Sequence, residues 1–311
     1  MSKPQWLIDA HHHFWALDGT LNYPWLEDQP VADFFLGDYD AICRPFLPGD
    51  LRRQIPAGYR LIGSVHCEAE AKRSQASAET EWVEALAAAE GLPLAHVGWA
   101  AFGTEACASQ LDRQMQSTLF RGVRAKPLSA RYLEQLDAVR GQPGSLQDDE
   151  WCSGLGLLAE RRLSWDLRVP AWHLAEAAER LQEHPTLRVV VNHCGLPWDR
   201  SASGLRLWRQ GMAALAANPL VCVKLSELGT PEQPWHAEDN LALLLELIAI
   251  FGPHRCLYAS NAPVSGLQVS PAAWLALVER AIAQRAPAAR DDILWRNAAH
   301  WYRLPLPEMS D

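Results

Sequence analysis

Short apolar runs rich in β-branched residues recur along the whole chain, at 5–11, 59–67, 94–99, 119–124, 162–168, 187–193, 220–226 and 255–260. Runs of that length, bounded by polar or turn residues, read as buried strands. Between most of them apolar positions return every three or four residues, the stripe of an amphipathic helix. Such stripes cover 80–89, 105–118, 151–161, 171–184, 205–217, 238–251 and 271–285. Gly91-Leu-Pro and Gly252-Pro253 punctuate two of them, and Thr104 stands where an N-cap for the second is expected. Strands alternating with helices imply a parallel sheet, and eight is the number that closes a (β/α) barrel. The rival is a doubly wound open sheet, but no Gly-x-Gly-x-x-Gly follows any strand, so its strongest cue is missing.

Two stretches break the rhythm. Residues 14–58, rich in Pro, Gly and aromatics, form a long insertion after the first strand, and a long loop at that end of a barrel is a natural lid. Residues 141–149 read as a solvated connection. With no repeat or linker, 1–311 reads as a single domain. A hydrophobic content of 49% suits a large core, and a formal charge of -9 argues against nucleic acid or anionic membrane as partners. The first residues lack the basic and apolar regions of a signal peptide, and the longest apolar stretch, 241–251, is too short to span a bilayer. Seven cysteines without a Cys-x-x-Cys pair read as reduced thiols. A cytoplasmic enzyme fits these features, and a homo-oligomer stays open.

The chemistry is concentrated where the apolar runs end. Strand alternation puts Asp9, His11 and His13 on one face and His12 on the other. Two imidazoles on one face can share a metal ion or a polarised carbonyl oxygen, with Asp9 steadying them from behind. Further along, the second run ends in His66 and Glu68 and the fourth in Arg124. The fifth ends in Asp166 and Arg168, the sixth in His193, the seventh in Lys224 and Ser226, and the eighth in Ser260 and Asn261. Singly, each is a strand returning to water; together they place imidazoles and cations on one rim, a setting for an anionic substrate with a polarised carbonyl. Trp15, Trp25, Phe34 and Phe35 of the insertion could wall a pocket there.

Ile8-Asp-Ala-His-His-His-Phe-Trp15 with Tyr23-Pro-Trp-Leu26 resembles the opening of the amidohydrolase superfamily, in the branch of TIM-barrel hydrolases that includes sugar-acid lactonases and 2-pyrone-4,6-dicarboxylate lactonase. Val65-His-Cys-Glu-Ala69, Arg121-Gly-Val-Arg124, Asn192-His-Cys-Gly-Leu-Pro197, Val223-Lys-Leu-Ser226, Ser260-Asn-Ala-Pro-Val264 and Asn297-Ala carry the resemblance over nearly the whole chain. It implies a distorted (β/α)8 barrel that opens a lactone by activated water. It also implies that His11, His13 and His193 hold either one divalent metal, with zinc the best suited, or the substrate carbonyl without metal.

By the same resemblance Arg124 and Lys224 grip a carboxylate or hydroxyl of an anionic or polyhydroxylated lactone, with His66, Asp166, Ser226, Trp15 and Trp25 completing the substrate site. Where the superfamily usually presents an aspartate, Asn261 stands, and an amide takes up no proton near neutral pH. The base must then come from Glu68, Asp166, Asp199, His13 or His193. The same departure leaves open a non-catalytic binding barrel, and related barrels add a metal-dependent decarboxylase or hydratase of a small unsaturated or aromatic acid. Cys67 and Cys194 each follow a rim histidine, but alternation turns each away from that neighbour, so structural thiols are expected.

Overall fold

The computed structural model describes residues 4–28, 31, 34–230 and 233–306. Eight strands pair side by side in chain order, every pair parallel: β1 Gln5–His12, β2 Tyr59–Cys67, β3 Ala95–Gly98, β4 Phe120–Val123, β5 Ser164–Leu167, β6 Arg188–Val191, β7 Val221–Leu225 and β8 Cys256–Tyr258. The seam is closed by a bridge between His12 and Ala262 instead of a long ladder. There Asn261 N–H donates to His11 O at 2.8 Å and His13 N–H to Ala262 O at 2.9 Å. The result is the (β/α)8 barrel, distorted at its first strand, where the β1–β2 register shifts between Leu7 and Ile8 and again between Asp9 and His12.

Two apolar layers follow from strand alternation. Ile8, Ala10, Val65, Cys67, Ala95, Val97, Val190, Cys222 and Leu257 form one cluster inside the barrel. Leu7, Val123, Trp165, Leu167, Val189, Val191 and Val223 belong to a larger cluster shared with the surrounding helices. Those helices are α1 Pro24–Glu27, α2 Pro48–Arg53, α3 Ala76–Glu90, α4 Ala106–Gln114, α5 Leu136–Val139, α6 Asp149–Glu160, α7 Leu174–Arg180, α8 Ala202–Ala216, α9 Ala237–Phe251, α10 Pro271–Arg285 and α11 Asn297–Tyr302. The last, α11, sends Trp301 and Tyr302 into the interior cluster.

Local chemistry fixes the helix ends. Ser201 and Ser270 accept the N–H of Gly204 and Ala273 at the starts of α8 and α10, each cap worth about 1 kcal/mol. Gly91 ends α3 in the left-handed conformation (φ 73°) open to glycine at no steric cost. Thr104 is no N-cap: its hydroxyl donates back to Ala101 O, and α4 starts after Glu105 without a side-chain cap. Only Leu174–Arg180 of the expected 171–184 helix is α-helical, flanked by 3-10 turns, because Pro170 and the His184-Pro185 step disfavour a continuous helix.

The described part of the insertion folds onto the barrel. Phe14, Trp15, Leu21, Tyr23, Tyr39 and Phe46 pack with Ala69 and Val264, residues that follow β2 and β8. Among the described residues no helix is long and apolar enough to cross a membrane.

Candidate active site

At the C-terminal end of the barrel a cavity of about 190 Å³ is lined by His13, Glu70, Arg124, Arg168, His193 and Asn261 on its polar side. Trp25, Val31, Phe34, Phe35 and Val264 form its apolar side. That size suits a small single-ring compound, below the ~300–1,000 Å³ of most ligand clefts. Larger clefts lie elsewhere, one beside Arg200, Trp235 and His236 and one beside Asp38, Arg44 and Pro271, without the imidazole cluster.

His11, His13 and His193 do meet, although they come from distant parts of the chain. The His11 and His13 ring centroids lie 5.0 Å apart, and those of His11 and His193 lie 4.5 Å apart. For His11 and His13 the hydrogen bonds fix which nitrogen carries the proton. The Lys224 ammonium, which can only donate, lies 3.1 Å from His11 Nδ1, so that nitrogen accepts and Nε2 holds the proton. At 2.8 Å, His13 Nδ1 faces Cys67 O, which can only accept, so His13 keeps its lone pair on Nε2. His11 Nε2 then donates to His13 Nε2 across 3.3 Å. His193 Nδ1 pairs with Ser226 Oγ at 3.0 Å.

Burial keeps all three rings neutral. The His13 imidazole is pushed down to about 3 by loss of water, with Arg124 adding to it. His11 and His193 are also held well below the ordinary value by burial, His11 next by the Lys224 charge and His193 by Arg168.

Lys224 is the centre of a second layer beneath the cavity. Its ammonium lies 2.5 Å from Asp166 Oδ2 and 3.5 Å from Cys67 Sγ, fully buried with its partner carboxylate. Tyr302 donates to Asp166 at 3.0 Å and Asn192 Nδ2 at 3.1 Å. Lys224 and Asp166 therefore support the histidines from below, and neither lines the cavity.

Several side chains stand differently from the expectation of strand alternation. Asp9 does not steady the imidazoles. Through the β1 irregularity its carboxylate accepts the hydroxyl of Ser260 at 2.5 Å, the Ser260 N–H at 2.8 Å and the His11 backbone N–H at 3.2 Å. Burial raises this carboxyl to about 6. His66 lies on the outer side of the barrel wall, paired with His96 at 3.0 Å, away from the cavity. Glu68 is held by Arg124 at 2.9 Å and by Arg73 at 3.0 Å. Trp15 is buried with its Nε1–H on Arg44 O, whereas Trp25 lines the cavity with its Nε1–H on Ala69 O. Asp199 accepts the Ser201 N–H at the start of α8. Cys67 meets His11 at 3.4 Å, but burial pushes its thiol, like that of Cys194, up to about 12, as expected of structural thiols.

One residue escaped the sequence reading. Glu227, the next residue after Ser226, puts its carboxylate against Asn261: Asn261 Nδ2 donates to it at 3.0 Å and Ser265 Oγ at 2.5 Å, while Gly229 N–H donates to its other oxygen. Extending the strand-end search one position past Ser226 would have found it. Because a carboxylate faces the Nδ2 side, Asn261 turns Oδ1 away from Glu227. That oxygen is buried and has no partner among the described residues. Left-handed backbone accumulates on this rim, at Glu70 (φ 60°), His193 (φ 53°), Cys194 (φ 55°), Glu227 (φ 42°) and Asn261 (φ 53°). Such strain in non-glycine residues persists where the surroundings dictate it, as they do at functional sites.

The same donors were tested against a metal ion. His11 Nε2 and His13 Nε2 are 3.3 Å apart, the spacing of two ligands each about 2.0–2.1 Å from one tetrahedral zinc. His11, Cys67 and Asp166 form a further group whose ligand atoms lie within 4.8 Å of one another, but the Lys224 ammonium already engages all three. The three imidazoles thus match an ion in ligand type, and the His11–His13 pair matches it in spacing, but His193 completes no converging ligand group among the described residues, and binding would require the Lys224 ammonium to give up its contact with His11 Nδ1.

The amidohydrolase sequence profile matches residues 8–304. The chain belongs to the amidohydrolase family. It is 32% identical to an uncharacterized protein, y4mH, of Sinorhizobium fredii, over 96% of this chain and 98% of that one. It is 29% identical to an L-fucono-1,5-lactonase of Burkholderia multivorans, over 96% and 97% of the two chains. The structure superposes on an amidohydrolase from Burkholderia multivorans with bound zinc, at a TM-score of 0.78 and 26% identity, covering 96% of this chain and 99% of that one. As a member of this family the protein is an enzyme, a hydrolase of ester-type bonds.

Proposed function

We propose that this amidohydrolase opens a small lactone by general-base attack of water at the barrel mouth. The observation that carries the reading is the meeting of three neutral imidazoles, two of them lining one small cavity beside Asn261, whose Oδ1 has no partner among the described residues. The likeness to an L-fucono-1,5-lactonase supports the same class of substrate.

Each group has a part. His11, kept as the Nε2–H form by Lys224, turns that hydrogen from His13 Nε2 to the ring carbonyl oxygen as the substrate enters and stabilises the negative charge that develops there. Asn261 Oδ1 accepts one hydrogen of the attacking water and orients it. His193, with Nδ1 on Ser226, takes the other proton at Nε2 as the C–O bond to water forms. When the tetrahedral species collapses, the ring C–O bond breaks and His193 returns that proton to the departing alkoxide. A hydroxy acid leaves, and the imidazole is neutral again. A divalent ion, when bound, would be held by His11, His13 and His193 and would polarise the carbonyl and lower the pKa of its water. Trp25, Phe34 and Phe35 cover the ring and keep bulk water out, the lid-like role of the insertion.

The test is acid release from a panel of sugar-acid and carboxylated lactones, before and after chelation, with the wild type and His193→Ala. Turnover of at least one lactone that falls by about 10²–10⁴-fold in the variant supports the base assignment. No turnover of any, or an unaffected variant that keeps its fold by circular dichroism, ends it.

A further inference from the structure

Three of the four cations at or beneath the cavity have a carboxylate of their own. Arg124 is held by Glu68, Lys224 by Asp166, and Lys126 by Glu70. Arg168, two positions beyond Asp166 at the end of β5, has no carboxylate partner among the described residues and lines the cavity. Its guanidinium carbon lies 5.6 Å from the ring centre of Phe35 and 5.9 Å from that of Trp198, so its neighbours are aromatic faces.

We infer that Arg168 is the anion subsite of this enzyme and that the lactone it opens carries a carboxylate. The inference rests on the lactonase reading and narrows it to one substrate class. Among the described residues this half-buried cation makes no ion pair within 4 Å, and Glu70, Glu227 and Glu68 act on it only through space, so an arriving anion can pair with it directly. The planar fork of arginine matches a carboxylate with two parallel hydrogen bonds, and the flanking rings exclude the water that would weaken them. The remaining wall argues in the same direction. Its apolar side, Trp25, Val31, Phe34, Phe35 and Val264, offers hydroxyls no partners, so a hydroxyl-rich ring would have to crowd every one of them against His13, Glu70, Arg124, His193 and Asn261, and any left unpaired would be costly. Arg124, which also lines the cavity, and Lys224 beneath it each already carry a carboxylate, so Arg168 is the cation here that offers an arriving carboxylate its fork without displacing one.

The experiment compares γ-butyrolactone with the same ring bearing a γ-carboxylate, and with neutral glucono-lactone, in wild type, Arg168→Met and Arg168→Lys. Wild type is expected to favour the carboxylated ring over the plain one by about 100-fold in kcat/KM, the scale of a charge-assisted hydrogen-bonded pair. In Arg168→Met that ratio should collapse to below about fivefold, with Arg168→Lys between. Because the ratio is taken within one protein, partial misfolding does not imitate the effect. Binding of cyclopentanecarboxylate by calorimetry gives an arm independent of turnover, and should weaken about tenfold or more in Arg168→Met. A wild-type ratio near one, preference for the neutral sugar lactone, or equal carboxylate binding in both proteins overturns the inference while the lactonase reading stands. Carboxylate binding that needs Arg168, with no lactone opened, leaves the subsite in place and removes the lactonase reading.

Discussion

Two clusters of buried histidines flank the same strands and differ in what they open onto. His13 and His193 line the cavity at the barrel mouth, with His11 packed against both. His12 and His66 pack behind the barrel wall against Phe14, and His96 packs on His66. There His96 Nε2 meets Thr80 Oγ1 at 3.2 Å, and Thr80 donates to Gln114 at 2.8 Å. In both clusters burial lowers every imidazole pKa. Burial and a shifted pKa therefore do not distinguish a site from a packed wall. Nor does an unmatched polar atom, since among the described residues the His12 nitrogens lack partners as Asn261 Oδ1 does; access does, because His13, His193 and Asn261 line the cavity and the wall cluster does not.

The sharpest way to break the comparison is to substitute one histidine on each side. His11→Ala should lower kcat/KM on a good lactone by about 10³-fold, while His66→Gln, well away from the cavity, should stay within about threefold of wild type. Equal losses in the two variants, measured on folded protein, would dissolve the distinction. Next in size is Lys224→Met, which leaves Asp166 as an uncompensated buried charge and should cost about 3–5 kcal/mol in urea unfolding. Pairing it with Asp166→Leu should recover much of that loss; if the double variant is no better than the single, the ion pair is not what the interior depends on. Glu227→Gln is smaller still. It keeps the shape but lets the Asn261 amide turn over, so kcat should fall about tenfold with KM nearly unchanged, and steady-state kinetics would show otherwise if Glu227 merely fills space.

The smallest effect is in the pH dependence of stability. A histidine whose folded pKa lies below its unfolded value takes up its proton only on unfolding, so its penalty is absent above about 6.5 and grows as pH falls toward the folded pKa. Each such residue steepens the loss by up to about 1.4 kcal/mol per pH unit. Asp9, raised to about 6, and Glu79, raised to about 8, work in the opposite sense, gaining stability as pH falls through those values. His66→Gln should flatten the acid limb between about pH 6.5 and 5 by about one proton's slope, and unfolding midpoints across that range would reveal a slope left unchanged.

The barrel was legible in the sequence because its signals are local. Each strand is a short apolar run, and Pro271–Arg285 and Ala237–Phe251 carry their own stops and starts. The meeting of His193 with His11 followed from the rule that strand ends share a rim, which needs no knowledge of contacts. What sequence could not show is who neutralises whom. Arg124 and Lys224 read as free cations in the sequence, whereas Glu68 and Asp166 stand beside them, and those partners are 56 and 58 residues away. The irregular register of β1 likewise breaks strict alternation, which is why Asp9 turns to Ser260 instead of the imidazoles.

Of the seven thiols, six are sealed in the interior, and only Cys43, in the insertion packed over the barrel mouth, is partly exposed. A maleimide dye applied to the native protein would therefore decorate a single position without any mutagenesis. Its emission would report how that segment settles when a small molecule enters beneath it.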